Sequence, residues 1–547
     1  MSDASYDVVM VGGGNKGLIA AMYLTKYGGL KVGIFEERHE MGGGWSSEEG
    51  PAPGFLANIC AHNLGNPMLH YSPIYEDFPE WIEYGIKPLI PLLSIAYCFS
   101  DGRWLGIYSE EHDPTQEKTA ASIARFSPKD AESWLWLHDK LNRYVKPAIM
   151  EFCFTPAQPI GTPDALDRLI ANPDSGMDPT WRTKTVRSMI GDLFDNIDVQ
   201  TAFVRFLAGV GNFPDTFGGA FAAIPALTTL LNIGTVPGGT HTLAHACQRI
   251  VLENDGRYFT RHPVDKIIIE NGVAKGVRLA DGTVVEARKA VLSGVDPYQL
   301  CVELVGEEHL GPKIIRKIKN LEATRGLTWY TWALHERPKY TAEVYNPDLP
   351  SSGWIAFGEA GEQGMKDLMD EYYRFKMGLW PEPHRMALRV GDHSSYCPGY
   401  APPGKCSCLS EVFVPSVQFF TEKEWKEKEQ SHAQEVMNMW SKYAPNMTWD
   451  NVIGYLPITP YYTAGRARNY ARHGISAIID PIPPQQGRFR PIPELASGRM
   501  PIKNLYATGS AWHPFHGSNP FQGYNVYKVM AQDLGLRKPW DEKGRPY

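Results

Sequence analysis

The sequence predicts an α/β fold in which a Rossmann-like dinucleotide-binding domain is interrupted by inserted α+β segments. Three observations carry this prediction. The chain opens on a strand, a glycine-rich turn and a helix; two later blocks, near Gly238 and Ile502, return to strands with tight turns; and the stretches between these blocks contain separate helices and clustered aromatic side chains. We expect the cofactor domain at 1–75, 235–300 and 485–547, and a substrate-binding domain at 76–234 and 301–484.

Composition and charge exclude several classes of protein. The 547 residues include 54 Lys+Arg and 61 Asp+Glu, a net charge of -7, so the basic domain of a nucleic-acid binder is not expected. With 43% hydrophobic and 21% charged residues, the chain resembles ordinary globular proteins. A polar start runs directly into a strand without a basic leader region, which predicts a cytoplasmic location. The eight cysteines form no C-x-x-C pair, which argues against a disulfide framework or a zinc ribbon.

One stretch, 216–248, lacks Asp, Glu, Lys and Arg, so it has to be considered as a membrane-spanning segment. Its apolar part, 220–231, is shorter than the roughly 20 residues of a spanning helix, and Pro225 interrupts it. We predict a buried helix that enters a turn. A lip that touches a membrane peripherally, or that guides an oily substrate, stays open as an alternative. Elsewhere in the inserted segments, Ser127-Pro128 predicts the start of a helix over 130–137, and 425–440 reads as a charged amphipathic helix.

The opening element has the G-x-G-x-x-G pattern in its required setting. Gly12 permits the tight turn, Gly14 lets the backbone approach a pyrophosphate, and Gly17 lets the helix pack on the strand. The helix N-terminus offers unpaired N–H groups to phosphates. A second strand, 31–35, ends at an acid 19 residues after the last glycine, the position of a ribose-binding carboxylate. The residues predicted at the dinucleotide are Gly12, Gly14, Asn15, Lys16, Gly17, Glu36 and Glu37.

The segment that follows decides between NAD and FAD. It runs from Arg38 to Gly42 and Gly43 as R-x-x-x-G-G, and so resembles the FAD-dependent superfamily that includes amine oxidases and phytoene desaturases. The resemblance implies FAD as the cofactor and a discontinuous FAD domain of the glutathione reductase/amine oxidase type. It also implies that the backbone of Gly42, Gly43 and Gly44 passes close to the FAD diphosphate and ribityl chain, and Gly43, Gly44 and Trp45 are predicted to bind the cofactor.

Two later blocks extend the resemblance to the phytoene dehydrogenase-like oxidoreductases over nearly the whole chain. Alternating runs at 264–269 and 273–279 predict a strand meander, in which the resemblance implies an adenine contact at Val264. The C-terminal strand, His-Pro and helix look like the final FAD segment of this family. A helix N-terminus there would stabilise the anionic pyrimidine edge of reduced flavin. The resemblance assigns Gly509 and Ser510 to the diphosphate and ribityl chain, and Phe521 and Gln522 to the flavin edge.

The expected reaction is removal of hydride from a carbon of a hydrophobic or ring-bearing small molecule to flavin N5, with electrons passing to O₂, a quinone or another carrier. The sequence contains no second G-x-G-x-x-G in a strand-turn-helix setting, so a dedicated NAD(P)H domain is not expected. One alternative is a carotenoid desaturase or isomerase of the same family, which the bulky Phe515, His516 and Tyr524 disfavour. The other is a flavin-free lipid- or protein-binding relative, which the complete glycine set disfavours.

Several side chains are candidates for the chemistry. His513 and His516 lie in the predicted flavin segment and titrate near neutrality, so either is a candidate proton acceptor. The sequence also places Asn58, Cys60 and His62 as candidate pocket residues after the first glycine block. The helical pair His241 and His245 lacks a third ligand, so no metal site is predicted. Oligomeric state and covalent attachment of FAD stay open.

Overall fold

The computed structural model describes residues 4–62, 64–65, 72–470, 472, 478–517 and 519–547. Two large sheets dominate this part of the chain, together with the two-stranded pairs β3-β4 (47–52 with 55–58) and β5-β8 (64–65 with 233–234). The strands in chain order are β1 Ala4–Val11, β2 Val32–Phe35, β3 Ser47–Ala52, β4 Phe55–Asn58, β5 Leu64–Gly65, β6 Leu93–Phe99, β7 Trp104–Tyr108, β8 Ile233–Gly234, β9 Arg257–Phe259, β10 Val264–Glu270, β11 Val273–Leu279, β12 Val284–Ser293, β13 Arg325–Leu334, β14 Ser352–Gly358, β15 Arg389–Asp392, β16 Cys406–Pro415, β17 Val452–Ile458 and β18 Leu505–Ala507.

The helices surround both sheets. Short 3₁₀ turns connect many of them, and a wider helical turn at 141–145 joins α5 to α6. The α-helices are α1 Asn15–Lys26, α2 Pro73–Asp77, α3 Glu80–Glu83, α4 Glu117–Ala124, α5 Pro128–Lys140, α6 Lys146–Cys153, α7 Ala165–Ala171, α8 Val186–Leu193, α9 Ile197–Gly209, α10 Gly219–Thr229, α11 His241–Glu253, α12 Glu307–Lys319, α13 Gly361–Lys376, α14 Glu422–Trp440, α15 Pro460–Arg466, α16 Phe521–Leu534 and α17 Pro539–Glu542.

The first sheet has the order β10-β11-β12-β1-β2-β9, with β18 also paired to β12. Strands β9, β2, β1, β12 and β18 run parallel, whereas β10 and β11 form the antiparallel meander that the sequence predicts. Parallel neighbours need a crossover, and α1 supplies it between β1 and β2. The predicted Rossmann-like domain is confirmed.

The second sheet has the order β17-β13-β16-β15-β14-β6-β7. Its strands β6 and β7 come from the first inserted segment, and the others come from 325–458. Both inserted segments therefore share one sheet, joined where β6 runs parallel to β14. The domain bounds given above remain a prediction.

Helices α1 and α16 pack closely against each other at the edge of the first sheet. A Cβ on Gly17 would lie 3.1 Å from the Met10 Cε atom, and a Cβ on Gly523 would lie 2.3 Å from the Lys16 carbonyl oxygen. Only glycine permits the approach at position 523, since real Cβ atoms are not found this close to backbone oxygen, whereas Gly17 packs on the Met10 side chain of β1. The packing brings the start of α16 next to the glycine loop that precedes α1.

The uncharged stretch 216–248 contains the buried helix α10, followed by the short strand β8 and a turn at 237–240, as the sequence predicts. Pro225 lies inside this helix. Within the described residues, no helix combines the length and the apolar character that crossing a membrane requires. Phe217, just before α10, is 82% exposed.

Candidate functional site

Two glycine loops meet where β1 ends. Gly12 has a φ of 84°, in the left-handed region that favours glycine. The Gly42 N–H donates to the Gly13 carbonyl at 2.8 Å, and a Cβ on Gly43 would lie 3.1 Å from the Gly14 Cα atom. The second loop therefore lies directly on the first, which matches the predicted order of the two motifs along a dinucleotide.

The Glu36 carboxylate closes this arrangement at the end of β2. Its Oε2 accepts the Gly13 N–H at 2.7 Å, and its Oε1 accepts the Arg38 N–H at 2.9 Å. Burial raises the pKa of Glu36, while these two N–H groups act in the opposite direction. The carboxylate is thus fixed beside the glycine turn, at the position that the sequence predicts for a ribose-binding acid.

A cleft opens beside the two loops, and six of the predicted dinucleotide residues line it. We call it the loop cleft. Some of its other walls belong to the same opening unit, whereas 294–299 and 466–470 come from distant segments and could not be predicted. The predicted lining residues are Gly12, Gly14, Glu36, Glu37, Gly43 and Val264; the additional ones are Val11, Phe35, Arg38, Gly294, Val295, Gln299, Arg466, Ala467, Asn469 and Tyr470.

A buried group of cations lies between the loop cleft and the C-terminal segment. The Lys16 ammonium donates to the Gly517 carbonyl oxygen, and burial, with a smaller effect of Arg490, lowers the pKa of Lys16 to about 7. The Arg490 guanidinium donates through Nε to the Ser510 carbonyl oxygen at 3.0 Å. His516 lies close enough that burial, Arg325, Arg490 and Lys16 together lower its pKa well below the usual value. Positive groups concentrated in this way suit an anionic ligand.

Several buried polar atoms around these cations have no hydrogen-bond partner among the described residues. They are the Asn15 Nδ2, Thr508 Oγ1, Asn519 Oδ1 and Gln522 Oε1 atoms. A buried polar atom without a partner costs about 1–3 kcal/mol. Such atoms, gathered where the predicted cofactor residues meet, indicate a place for a polar ligand.

A cavity of about 240 Å³ adjoins the start of α16, and we call it the central cavity. Its predicted lining residues include Phe521 and His516 from the C-terminal segment, and Cys60 and His62 from the segment after β4. The remaining wall is mostly apolar, from α6, α9, α10 and the C-terminal segment. These apolar residues include Ile149, Val210, Ala222, Pro225, Ala226, Ile233 and Phe515.

The second sheet contributes a charged edge to the central cavity. Glu411 on β16 and Arg389 on β15 are direct cross-strand neighbours, and Arg389 Nε donates to Glu411 Oε2 at 3.0 Å. The other oxygen, Oε1, lies 3.6 Å from His62 Nε2. Burial, with a smaller effect of Arg389, lowers the pKa of His62 to about 3, so its ring is neutral at neutral pH. The sequence did carry a signal for Glu411, a single acid in the otherwise uncharged run 406–415.

The two candidate histidines of the C-terminal segment differ in position. His516 lines the central cavity, whereas His513 does not. His513 Nε2 donates to the Thr155 carbonyl oxygen at 3.0 Å, and its ring packs edge-on against Phe152. Either catalytic role remains a prediction.

The other predicted residues also differ in how they meet the site. Asn58 holds the preceding loops, since its Oδ1 accepts the Thr240 N–H at 3.0 Å. The Trp45 side chain is fully buried. Gly509 has a φ of 141° beside Gly294, which lines the loop cleft.

Possible metal ligands lie elsewhere. The His241 and His245 rings are 4.3 Å apart on α11, and His241 Nε2 donates to the Met41 carbonyl oxygen at 3.0 Å. Among the described residues, the group with ligand atoms close enough for a metal ion is Asp392, Cys406 and Cys408. Burial raises the pKa of the Cys408 thiol well above its usual value, which favours its protonated form. The expectation of no metal site remains a prediction.

Comparisons with known proteins agree with this geometry. Residues 1–50 match the model of the Thi4 family. The chain is 24% identical to one of the subunits of limonene dehydrogenase from Castellaniella defragrans, over 98% of this chain and 96% of the relative. It is 22% identical to the lycopene-forming phytoene desaturase of Paracoccus sp., over 97% of this chain and 99% of that protein. Cyclohexylamine oxidase from Brevibacterium oxydans is a structural neighbour with a TM-score of 0.56 and 14% identity, covering 97% of this chain and 99% of the other.

The chain resembles phytoene desaturase-like oxidoreductases in sequence and amine oxidase-type enzymes in fold. The predicted resemblance, fold type and enzyme class are thereby confirmed. At these identities, the similarity to relatives establishes the enzyme class and the fold. The roles of the individual site residues remain predictions.

Proposed function

We propose that the chain binds FAD in the loop cleft and along 510–517, and oxidises a small apolar molecule held in the central cavity. The observation that carries the proposal is the lining of one cleft by six residues that the sequence assigns to a dinucleotide. The adenosine half would lie at Glu36 and Val264, and the flavin ring at the start of α16, next to the central cavity.

The residues fit FAD in three respects. Gly43 lies against Gly14 and leaves room for a diphosphate at the turn, where a Cβ added to Gly14 would meet no atom within 4 Å. The cations Lys16 and Arg490 suit the negative charge of a diphosphate or of a reduced flavin. The unpartnered Nδ2 atom of Asn15 supplies a polar group next to Lys16 in the chain.

In this proposal, the flavin and the residues of the chain have different tasks. Bound flavin supplies the two-electron chemistry by accepting a hydride at N5. The chain's own residues hold the substrate carbon near that atom, exclude water with the apolar wall of the central cavity, and stabilise negative charge with the N-terminus of α16. Reoxidation by O₂, a quinone or another carrier completes the cycle.

The size of the central cavity supports a small substrate. Its volume of about 240 Å³ lies just below the usual range for ligand pockets, which is about 300–1,000 Å³. A long carotenoid would need more room, in agreement with the bulky residues Phe515 and His516 at its wall. A compact hydrocarbon such as the limonene named for one relative fits this class better.

Anaerobic bleaching of the bound flavin tests the proposal. The holoenzyme is mixed without oxygen with limonene, cyclohexylamine, a cyclic alcohol or a carotenoid, and the absorbance near 450 nm is followed. We expect at least one of the compact molecules to bleach the flavin and the carotenoid to leave it oxidised. Bleaching by the carotenoid alone would refute the small-substrate proposal. Admitting air then separates an oxidase, whose colour returns quickly, from a dehydrogenase.

A peripheral membrane contact remains a prediction. Phe217, which is 82% exposed beside α10, is the residue at which to test it. Sedimentation with anionic vesicles should fall for Phe217→Ser if such a contact exists, and unchanged sedimentation would remove the idea.

A further inference from the structure

We propose that Glu411, assisted by His62, takes up the proton that the substrate loses during oxidation. The inference rests on the proposed function, because it assigns a role to a residue that lines the central cavity. Its basis is a charged and buried edge in a cavity whose remaining lining is mostly apolar. The sequence alone points to other residues, the two C-terminal histidines, for this role.

The position of Glu411 follows from the pleat of β16. Side chains alternate across the sheet: Val412 and Val414 lie in the apolar core that includes Trp425 of α14, whereas Glu411 lines the central cavity on the opposite face. The residue is only 3% exposed. A carboxylate buried in this way is costly unless its position serves a partner or a ligand.

Arg389 positions the carboxylate and occupies one of its oxygens. Its Nε donates to Glu411 Oε2 at 3.0 Å, and its Nη1 donates to the Gly209 carbonyl oxygen at 3.0 Å. The guanidinium also lies 4.2 Å from the centre of the Trp354 ring. These three contacts fix Arg389 beside Glu411 Oε2. The other oxygen of Glu411, Oε1, is the one on the His62 side.

His62 extends the acceptor along the cavity wall. Its Nε2 is 3.6 Å from Glu411 Oε1, and its ring packs edge-on against Trp329 at 5.1 Å. Three groups facing it can carry charge: Glu411, Arg389 and His393. Because burial and Arg389 keep the imidazole neutral, His62 assists by lying beside the Glu411 carboxyl group, and Glu411 itself takes the proton.

The atoms and electrons of the reaction balance with this acceptor. Bound flavin would accept the hydride with its bonding pair, and thus two electrons, from the substrate carbon. The electron-poor carbon then draws the pair of an adjacent C–H or of an attached O–H bond, which forms C=C or C=O. The proton released from that bond goes to Glu411 Oε1. Such a proton is strongly acidic, so a carboxylate suffices to accept it.

His516 is less suited to the same task. Arg325, Arg490 and Lys16 all act against a positive charge on its ring. Glu411 instead offers the oxygen Oε1 on the His62 side, while its Oε2 accepts from Arg389. The geometry therefore favours the sheet side of the central cavity over the C-terminal side.

Calorimetric titration with two probes of similar shape tests the proposal. Phenol presents an O–H group to an acceptor, and toluene does not. We expect wild-type holoenzyme to bind phenol about 10-fold more tightly, because a hydrogen bond to a charged acceptor is worth more than one to a neutral acceptor. Glu411→Gln should reduce this preference to about 2-fold, and Glu411→Asp should keep most of it.

Glu371 supplies a matched control. It is also a buried glutamate, it accepts the Ala387 N–H at 3.3 Å, and it does not line the central cavity. Glu371→Gln should leave the phenol preference unchanged. With any compound that bleaches the flavin, Glu411→Gln should slow reduction by about 100-fold or more, while reduction by dithionite stays normal.

Two results would overturn the inference: a wild-type protein without preference for phenol, or a Glu411→Gln protein that keeps the full preference. If Glu411→Gln fails to fold, Glu411→Ala takes its place: it should also lose most of the phenol preference, and an Ala variant that keeps the full preference would overturn the inference. Calorimetry does not depend on colour, so a protein without flavin would refute the proposed cofactor separately.

Discussion

Single residues near the cofactor position carry unusual protonation states. Lys16 is buried at the start of α1, and its pKa is lowered to about 7, first by burial and then by Arg490. A lysine in this state is mostly neutral at pH 8 and gains a proton when a negative group arrives beside it. The residue thus couples anion binding to proton uptake.

We therefore expect FAD binding to the apo-protein at pH 8 to take up protons, up to one per site from Lys16. Calorimetry in two buffers of different ionisation enthalpy measures this number. Lys16→Met should abolish the uptake from this residue and weaken binding. Lys528 is a matched control, because burial lowers its pKa to about 8 and it lies outside the loop cleft and the central cavity. Uptake that persists in Lys16→Met but disappears in Lys528→Met would contradict the assignment.

We expect replacement of His513 and replacement of His516 to have different effects on stability and on binding. His513→Ala removes the hydrogen bond to the Thr155 carbonyl and the packing on Phe152, so we expect a loss of about 1–3 kcal/mol in the free energy of unfolding. His516→Ala should change stability less and alter affinity for cavity probes more. Urea unfolding and the phenol titration make the comparison. A large loss of stability for His516→Ala with none for His513→Ala would reverse these roles.

At the scale of elements, local signals explain most of the successful predictions. The glycine turn, the capped helix that begins after Ser127, the amphipathic helix α14 and the β10–β11 meander all depend on residues close together in sequence. The second sheet could not be predicted in this way. Its strand β6 pairs with β14, about 250 residues away, and no local pattern specifies such a partner.

The contact between α1 and α16 offers a test at this scale. A Cβ on Gly523 would lie 2.3 Å from the Lys16 carbonyl oxygen and 2.7 Å from the Ile19 Cβ atom. We expect Gly523→Ala to separate the two helices, lower stability by about 1–3 kcal/mol and weaken FAD retention.

Gly191 is the control for this substitution, because it lies inside α8 with no atom within 4 Å of an added Cβ. There, Gly191→Ala should be neutral or raise stability by about 0.5–1 kcal/mol, since alanine favours a helix. Thermal unfolding with a count of bound flavin distinguishes the two variants. Equal effects at both sites would show that the helix contact is not the cause.

At the scale of the molecule, the site is made by bringing distant segments together. The loop cleft draws on the two glycine motifs, 294–299 and 466–470, and the central cavity joins the C-terminal segment to the second sheet. The motifs could be predicted because backbone geometry demands glycine at those positions. Glu411 and Arg389 were missed because their meaning depends on the strand pairing that places them on one face of the sheet.

Whether the chain is a flavoprotein is decided by the absorbance spectrum of the purified protein from 300 to 550 nm, before and after acid precipitation. We predict flavin bands in the native protein, and a released yellow compound with the mass of FAD in the supernatant. Colour that stays in the pellet would mean covalent flavin and would leave the oxidoreductase assignment intact. A colourless protein that fails to take up added FAD would contradict the proposed cofactor and favour a flavin-free binding protein of this fold.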